Sequence, residues 1–209
     1  MRDNKIIRVL SVDDHPLMRE GIAALINNQA NMSLIAEASN GRDALRLFRE
    51  QQPDVTLMDL RLPDMSGVEA MSAILKEFPK ARIIILTMFE GDVEIQRALK
   101  AGARAYLLKT MPPKELVKVI QYIHDGKKHI PPEIAANLAE HFSTDALTAR
   151  EIEVLAQIAE GNRNRDIAEM LFISEETVKV HIKHIMDKLD ASDRTQAVAI
   201  AIRRGIIQL

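Results

Sequence analysis

Cysteine, long apolar segments and an excess of positive charge are all missing from this chain of 209 residues. Without cysteine, the protein has no disulfide, no thiolate metal ligand and no cysteine nucleophile. The first apolar run, at residues 6–12, is interrupted by Arg8 and is too short for a signal peptide or a membrane span. We therefore expect a soluble, cytoplasmic protein with no membrane partner.

The charge balance limits how the chain could bind nucleic acid. It has 28 Lys and Arg residues against 30 Asp and Glu residues, which gives a formal net charge of -2. Binding to a polyanion would therefore depend on a local positive patch. The sequence shows no internal repeat and no low-complexity tract, and its length suggests one or two domains.

A short apolar run at residues 55–58 ends on Asp59 and predicts a buried strand with a carboxylate at its carboxyl end. Pro63 and Asp64 mark the turn that follows. The spacing of Ser66 and Glu69 is that of a helix capping box. Ligand sites of open α/β sheets lie at this edge of the sheet. Taken alone, however, Asp59 is more simply explained as a turn cap.

Strand and helix patterns alternate five times over about the first 125 residues, which predicts a parallel sheet with helices on both faces. Several predicted strands end in polar residues, and in a parallel sheet these ends share one edge. They are Asp13 and Asp14 after the first strand, Asp59 after the third, Thr87 at the fourth and Lys109 at the fifth. Each is individually common as a cap or a surface residue, but together they predict a site.

Three carboxylates in one place repel one another unless a cation lies between them. Oxygen ligands alone select a hard ion such as Mg²⁺. A carboxylate such as Asp59 can act as a nucleophile and form an aspartyl phosphate, while the metal and the Lys109 ammonium neutralise the charge of the transferring group. The hydroxyl of Thr87 could then bond a phosphoryl oxygen.

Residues 5 to about 125 resemble the receiver domain of two-component response regulators, on Asp13, Asp14, Asp59, Thr87, Tyr106 and Lys109. The resemblance implies a five-stranded flavodoxin-like fold in which Asp59 accepts a phosphoryl group from a sensor histidine kinase. It also implies that Mg²⁺ is bound by Asp14, Asp59 and the main-chain carbonyl of Arg61, with Asp13 acting mainly through water.

By the same resemblance, Lys109 contacts the phosphoryl oxygens, Thr87 moves toward them, and the ring of Tyr106 rotates inward behind it as a switch. Two positions depart from the pattern of many receivers. Thr110 stands where proline is common, which leaves the geometry of that loop open. Met88 stands where a small residue is common, and its side chain would narrow access for small phosphodonors.

The second half of the chain contains a helix-turn-helix pattern. A T-x-x-E capping box at residues 148–151 starts one helix, and a short helix then precedes a tight turn at residues 172–173. Ser174 caps a longer helix whose outward face carries Lys179, Val180 and Lys183. A solvated surface explains two lysines equally well, but an exposed valine among cations suits contact with a thymine methyl group.

Residues 146–209 resemble the LuxR-type DNA-binding domain of the NarL/FixJ subfamily of response regulators, on segments 147–151, 174–181 and 188–189 with Gly161, Asn164, Ile167 and Arg194. The resemblance implies a four-helix domain whose third helix enters the major groove of double-stranded promoter DNA. Lys179, Val180 and Lys183 would meet base edges, while Thr177 and Lys188 would contact phosphates.

The last predicted helix, from about residue 194 to 204, carries Val198, Ala201 and Ile202. By the resemblance these residues contribute to a homodimer, although the core of the domain explains each of them equally well. We expect residues 1–125 to form the receiver, residues 126–145 a partly ordered linker and residues 146–209 the DNA-binding domain.

Within the linker, Pro132 could start a short helix that carries Ile134, Leu138 and Phe142. We expect four histidines to be solvated and without a functional role, because no second soft ligand stands near them in the sequence. They are His15, His124, His129 and His141.

The combined expectation is a transcriptional response regulator in which phosphorylation of Asp59 favours dimerisation and promoter binding. Such a protein would be a switch with slow self-dephosphorylation rather than a turnover enzyme. Two alternatives stay open. An aspartate-nucleophile phosphohydrolase commonly carries a second Asp two residues after the first, where this chain has Arg61. A phosphorylation-controlled protein-interaction adaptor would use the helical module without binding DNA.

Overall fold

The computed structural model describes residues 6–88, 91–130, 132, 135 and 147–207. These residues form two compact units, one built around a β-sheet and one built from helices near the carboxyl terminus. Each unit has its own hydrophobic core. No helix within those ranges is both long enough and apolar enough to cross a membrane.

A five-stranded parallel sheet lies at the centre of the first unit, with strand order β2-β1-β3-β4-β5. Strands alternate with helices as the sequence pattern predicts, and the α/β flavodoxin-like class is confirmed. The strands are β1 (Ile7–Val12), β2 (Met32–Ala38), β3 (Val55–Met58), β4 (Ile83–Thr87) and β5 (Ala105–Leu108). The helices are α1 (Pro16–Asn27), α2 (Gly41–Gln51), α3 (Gly67–Glu77), α4 (Asp92–Ala101) and α5 (Pro113–His124).

Burial explains the strand patterns. Every residue of the inner strands β3 and β4 is buried, so both appear as continuous apolar runs rather than alternating ones. On one face of the sheet, Ile22 of α1 and Ile120 of α5 pack into the same core as Leu57 of β3. This core holds the strand ends of the first unit in fixed positions.

The strand order creates a crevice at one edge of the sheet. The chain passes from β1 to β2 on one side and then returns to place β3 on the other side of β1. The loops that follow β1 and β3 therefore run in opposite directions and leave a crevice between them. Open α/β sheets bind ligands in such a crevice. Asp13 follows β1 directly, and Asp59 follows β3.

The helix that follows Asp59 starts as the sequence predicts. Ser66 N donates to Glu69 Oε2 at 2.8 Å, and Glu69 N donates to the Ser66 hydroxyl at 3.2 Å. This capping box satisfies two amide groups at the start of α3 and fixes where the loop from β3 ends. The loop is therefore confined to residues 59–66.

The second unit contains four helices within residues 147–207, namely α6 (Ala149–Ala159), α7 (Asn164–Leu171), α8 (Glu175–Leu189) and α9 (Arg194–Arg203). The predicted capping box at Thr148 is present at the start of α6. The predicted cap at Ser174 is present at the start of α8. Phe172 joins α7 to α8 in a left-handed conformation with φ of 54°, and its side chain is 94% exposed. Helices α7 and α8 form the predicted helix-turn-helix.

The predicted linker can be assessed only at its beginning. The prediction that His129 is a solvated linker residue is wrong, because its amide donates to the Arg104 carbonyl at 2.9 Å and its ring packs edge-on against Tyr122. His129 also forms a parallel bridge with Ala105 of β5. The side chains of the predicted linker helix, Ile134, Leu138 and Phe142, and the histidine at 141 lie outside the described residues.

Candidate functional site

The ends of β1, β3 and β5 bring one cation between two carboxylates. Lys109 Nζ lies 2.7 Å from Asp13 Oδ2 and 2.7 Å from Asp59 Oδ2. The three side chains are almost completely buried, with exposures of 4%, 2% and 5% for Lys109, Asp13 and Asp59. Two buried carboxylates at this separation repel each other, and the ammonium between them offsets that repulsion. The predicted convergence of these strand ends is therefore present.

The electrostatics of this cluster disfavour the charged form of Asp59. Burial raises the pKa of Asp59, and the nearby charge of Asp13 adds to the effect, while Lys109 opposes it. Burial alone would lower the pKa of Lys109, but its bonds to Asp13 and Asp59 outweigh burial and raise it. Lys109 is thus a permanent cation, and one ammonium faces two carboxylates. A further cation beside Asp59 would stabilise its ionised form.

Asp14 and His15 extend the cluster toward solvent. His15 Nδ1 lies 2.6 Å from Asp14 Oδ1 and 3.3 Å from Asp13 Oδ1. One ligand atom each from Asp13, Asp14, His15 and Asp59 can be chosen so that all lie within 4.8 Å of one another. Three carboxylates in such a cluster fit a hard divalent cation of the Mg²⁺ class.

The prediction that His15 is solvated is confirmed by its 69% exposed side chain, although the residue lies beside the acidic pair. Its amide donates to Asp13 Oδ1 at 2.9 Å, and this bond turns the start of α1 toward the cluster. The sequence signal was the position of His15 directly after the acidic pair, at the beginning of a helix that Pro16 opens. A histidine at that position lies next to any cation that the acidic pair binds.

Arg61 lies in the loop that leaves Asp59. Its amide is 3.4 Å from Asp59 Oδ1, and its backbone forms an antiparallel bridge with Ser66. The loop closes tightly, since Gly67 N donates to the Leu60 carbonyl at 2.7 Å. A Cβ atom at Gly67 would lie 1.9 Å from the carbonyl oxygen of Asp59, so only glycine fits there. The main-chain carbonyl of Arg61 as a metal ligand stays a prediction.

Thr87 and Tyr106 occupy interior positions on the neighbouring strands. Thr87 ends β4 and is fully buried, and its carbonyl accepts the Lys109 amide at 2.7 Å. Tyr106 on β5 is also fully buried, and it pairs in register with Ile85. The role of Tyr106 as a switch stays a prediction. Met88, which follows Thr87, is 59% exposed and so does not fill the interior.

The helix α8 presents the residues predicted to read DNA. Lys179 is 54% exposed and Val180 is 49% exposed, and Lys183, one turn after Lys179, is also exposed. Lys179 Nζ is 3.1 Å from Glu176 Oε2 in a surface pair of the kind that contributes little to stability. Thr177 is held near the helix start, where its amide donates to the Ser174 hydroxyl at 3.0 Å.

Lys188 is partly buried and forms an ion pair inside the helical unit. Its Nζ lies 2.8 Å from Glu151 Oε2, and the two side chains are 24% and 4% exposed. Burial acts to raise the pKa of Glu151, but the bonds from Lys188 and Thr148 outweigh it and lower the pKa. This pair ties α8 to α6. The predicted phosphate contact of Lys188 stays a prediction, and it would compete with this bond.

The three residues predicted for a dimer surface differ in exposure. Ala201 is fully buried in the core of the helical unit, so the structure assigns it to that core and not to a dimer surface. Val198 and Ile202 pack against the same core but are only partly buried. The sequence could not separate the three, because all of them are apolar and fall within one helix of ten residues.

Each of the two units matches the model of a known protein family. Residues 9–121 match the response regulator receiver domain, and residues 145–201 match the bacterial regulatory proteins of the luxR family. The chain is 43% identical to the uncharacterized transcriptional regulatory protein YxjL of Bacillus subtilis (strain 168), over 97% of this chain and 98% of the relative.

Two further matches also extend over almost the whole chain. The transcriptional regulatory protein LiaR of Bacillus subtilis (strain 168) is 40% identical, over 97% of this chain and 100% of the relative. Among solved structures, the response regulator ChrA of a heme-sensing two-component system is 35% identical with a TM-score of 0.59, over 97% of this chain and 99% of that one. The similarity thus includes the order of the two units.

Proposed function

Because the chain belongs to the response regulators that join a receiver domain to a LuxR-type DNA-binding domain, we propose that Asp59 accepts a phosphoryl group from a sensor histidine kinase. The observation that carries the proposal is the buried arrangement of Asp13, Lys109 and Asp59, with Lys109 Nζ 2.7 Å from each carboxylate. In the proposed division of the chain, residues 1–125 carry this chemistry, residues 126–145 link the domains and residues 146–209 bind DNA.

In the proposed transfer, a carboxylate oxygen of Asp59 forms a bond to phosphorus as the bond from phosphorus to the kinase histidine nitrogen breaks. Lys109 stays within reach of the incoming phosphoryl oxygens and neutralises part of their charge. Asp14, Asp59 and the main-chain carbonyl of Arg61 would hold Mg²⁺, with Asp13 acting mainly through water. When bound, the ion supplies charge neutralisation that the single ammonium cannot provide for two carboxylates and a phosphoryl group.

The proposed switch uses Thr87 and Tyr106. The Thr87 hydroxyl would bond a phosphoryl oxygen, and the buried ring of Tyr106 would hold the repacked interior behind it. Phosphorylation then favours a homodimer, for which Val198 and Ile202 are the candidate contacts that remain partly exposed. A dimer matches the pseudo-symmetry of two half-sites in a promoter.

The proposed DNA contacts lie on α8. Lys179, Val180 and Lys183 would reach base edges in the major groove, and Thr177 and Lys188 would contact phosphates. The exposed Val180 is compatible with this assignment, because an apolar side chain can contact a thymine methyl group. The receiver would act as a cytoplasmic switch that loses its phosphoryl group slowly by hydrolysis, without turnover of small phosphoesters.

The experiment that tests the proposal compares wild type with Asp59→Asn in the presence of Mg²⁺ and a cognate kinase or a small phosphodonor. We expect wild type to gain one phosphoryl group by intact mass, to dimerise by light scattering and to select specific fragments from a genomic DNA library. Asp59→Asn should do none of these. Phosphorylation of the variant, or multiple turnover of a phosphoester by wild type, would contradict the proposal and favour a phosphohydrolase.

The DNA arm of the proposal has its own test. If phosphorylated wild type dimerises but binds no genomic fragment more tightly than bulk DNA, the helical unit serves as a protein-interaction adaptor. Fragments selected by wild type should be lost by Lys179→Ala, because its ammonium would contact a base edge. The two experiments therefore test phosphorylation of Asp59 and DNA binding independently of each other.

A further inference from the structure

The loop between β3 and α3 is attached to a helix from a different part of the chain. We name residues 60–66 the acceptor loop, because they follow Asp59. At its tip, Asp64 Oδ1 accepts the amide of Gly41 at 2.8 Å, and Asp64 Oδ2 accepts the amide of Arg42 at 3.0 Å. These amides are the first two of α2. One carboxylate therefore holds the start of a helix more than twenty residues earlier in the sequence.

Asp64 completes the capping of α2. The first amides of a helix have no partner within the helix, and a negative charge beside them also interacts favourably with the helix dipole. Asn40 satisfies the third amide, since its side chain accepts from Asp43 N at 2.8 Å. The first two amides are left to Asp64. This cap is a tertiary contact, because Asp64 lies more than twenty residues away from the amides that it accepts.

The charge of Asp64 is suited to this role. Burial acts to raise the pKa of Asp64, but the bonds from Gly41 and Arg42 outweigh it and lower the pKa. The carboxylate is thus ionised at neutral pH, and its side chain is only 20% exposed. Hydrogen bonds from backbone amides to a charged acceptor are stronger than those to a neutral one.

Packing reinforces the polar contact. A Cβ atom at Gly41 would lie 2.5 Å from Met65 Cγ and 3.3 Å from Ala70 Cβ, so the side chain of Met65 rests directly against the backbone of α2. The base of the acceptor loop is fixed separately, by the bridge between Arg61 and Ser66. The loop is therefore held at its base by its own backbone and at its tip by α2.

We propose that Asp64 is a positioning residue, which anchors the tip of the acceptor loop on α2 so that the backbone of Arg61 is preorganised beside Asp59 for a divalent cation. This inference rests on the proposed function, because that function assigns the cation to Asp14, Asp59 and the carbonyl of Arg61. Asp64 itself touches neither the cation nor the phosphoryl group. Without the anchor, cation binding would have to order the loop, and affinity would fall by that cost.

The test uses the full chain and a matched control on the same helix. Asp64→Ala removes both bonds to α2, whereas Asn40→Ala removes the other cap of α2 without touching the acceptor loop. Mg²⁺ binding is measured by calorimetry, and phosphorylation by a small phosphodonor is measured as a function of Mg²⁺ concentration. Thermal unfolding of both variants establishes that each is folded.

We expect Asp64→Ala to raise the Mg²⁺ concentration at half-saturation about tenfold, as is typical when a residue that supports a metal ligand is lost. The rate at saturating Mg²⁺ should be unchanged, because the ordered loop is then the same as in wild type. Asn40→Ala should lower the unfolding temperature but leave half-saturation at the wild-type value. Asp64→Asn, whose amide can accept only one of the two bonds, should give an intermediate shift.

Three outcomes would overturn the inference. Half-saturation could be unchanged in folded Asp64→Ala, it could shift equally in Asn40→Ala, or the rate at saturating Mg²⁺ could fall without a shift in half-saturation. If Asp64→Ala does not fold, the comparison of Asp64→Asn with Asn40→Ala decides in the same way. If wild type itself binds no Mg²⁺, the proposed function fails first, and calorimetry on wild type alone distinguishes that result.

Discussion

Both units of the molecule contain a lysine bound to a buried carboxylate, and the two arrangements differ in charge balance. In the sheet unit, Lys109 lies 2.7 Å from each of two buried carboxylates. In the helical unit, Lys188 Nζ lies 2.8 Å from Oε2 of one buried carboxylate, that of Glu151. Glu151 Oε2 also accepts the Thr148 amide at 2.7 Å, so its charge is fully compensated. The cluster around Asp59 retains an excess negative charge.

The contrast shows that a short distance between opposite charges does not by itself identify a functional site. Glu151 and Lys188 form a balanced pair that joins two helices, and nothing in the pair calls for a further ligand. Asp13 and Asp59 share one cation and lie beside the partly exposed Asp14, so this cluster can accept a second cation from solvent. Uncompensated charge near solvent, rather than burial, separates the two.

The largest expected effect comes from removing the shared cation. Lys109→Met leaves two buried carboxylates facing each other, and we expect the free energy of unfolding of the sheet unit to fall by about 3 kcal/mol in Mg²⁺-free buffer. Added Mg²⁺ should restore part of the loss. Both tyrosines, Tyr106 and Tyr122, lie in the sheet unit and the chain has no tryptophan, so tyrosine signals in urea titrations report this unit alone. Equal losses with and without Mg²⁺ would contradict the comparison.

A smaller loss is expected for the balanced pair. Lys188→Met leaves Glu151 buried with only its bonds from Thr148, and we expect the helical unit to lose about 2 kcal/mol of unfolding free energy. Hydrogen exchange of the α6 and α8 amides measures this. Mg²⁺ should have no effect, because a single carboxylate in the helical core offers no metal site. A Mg²⁺-dependent recovery here would remove the distinction drawn between the two units.

Neutral replacements of the two acids should change stability in opposite directions. Burial raises the pKa of Asp59, so the folded state binds that proton more tightly than the unfolded chain, and stability falls as pH rises through the raised pKa. Asp59→Asn should therefore stabilise the sheet unit at pH 7, by about 1 kcal/mol. For Glu151, burial acts to raise the pKa but bonds from Lys188 and Thr148 lower it, so its contribution is present at pH 7 and is lost in acid.

Glu151→Gln should accordingly destabilise the helical unit at pH 7, and the difference from wild type should shrink as pH falls below the ordinary range of a glutamate carboxyl. The difference between Asp59→Asn and wild type should shrink as pH falls toward the ordinary range of an aspartate carboxyl. Urea titrations followed by tyrosine signals measure the change in the sheet unit across this pH range, and hydrogen exchange of the α6 and α8 amides measures the change in the helical unit. A destabilising Asp59→Asn at neutral pH would show that the buried charge is better compensated than the contacts indicate.

The smallest effect on stability is expected for the exposed lysines of α8. Lys183→Ala should leave the unfolding free energy within about 0.5 kcal/mol of wild type, because the side chain is exposed. Affinity for the selected fragments should fall, and discrimination against other sequences should weaken by about 1–3 kcal/mol, because the ammonium would contact a base edge. Lys80→Ala, an exposed lysine of the sheet unit, is the matched control and should change neither quantity. Unchanged affinity and unchanged sequence discrimination in Lys183→Ala would remove this lysine from the DNA surface.

The sequence was sufficient for features that follow from periodicity and chain order. Alternating strands and helices predicted a parallel sheet, and a parallel sheet necessarily brings residues that follow its strands, such as Asp13, Asp59 and Lys109, to one edge. Capping boxes at Ser66 and Thr148 were visible because their partners are three residues away. In each case the information is local or follows from topology alone.

Features that depend on contacts between distant segments could not be predicted. Asp64 gave a turn signal, but its bonds to α2 depend on how two loops meet. The burial of Ala201 depends on which side of α9 faces the domain core. The pairing of Lys188 with Glu151 joins residues 37 positions apart, and a lysine near the end of a helix is equally consistent with a phosphate contact. For such residues, only tertiary packing determines which of several equally compatible contacts is formed.

The bridge between His129 and Ala105 has a consequence for strand edges. β5 is the outer strand of the sheet, and an outer strand offers unpaired backbone groups to which another chain can add. The amide of His129, bonded to the Arg104 carbonyl at 2.9 Å, covers the beginning of that edge with the protein's own backbone. A receiver fragment that ends at residue 125 would uncover the beginning of this edge and favour edge-to-edge aggregation, whereas one that ends at residue 130 keeps that part covered.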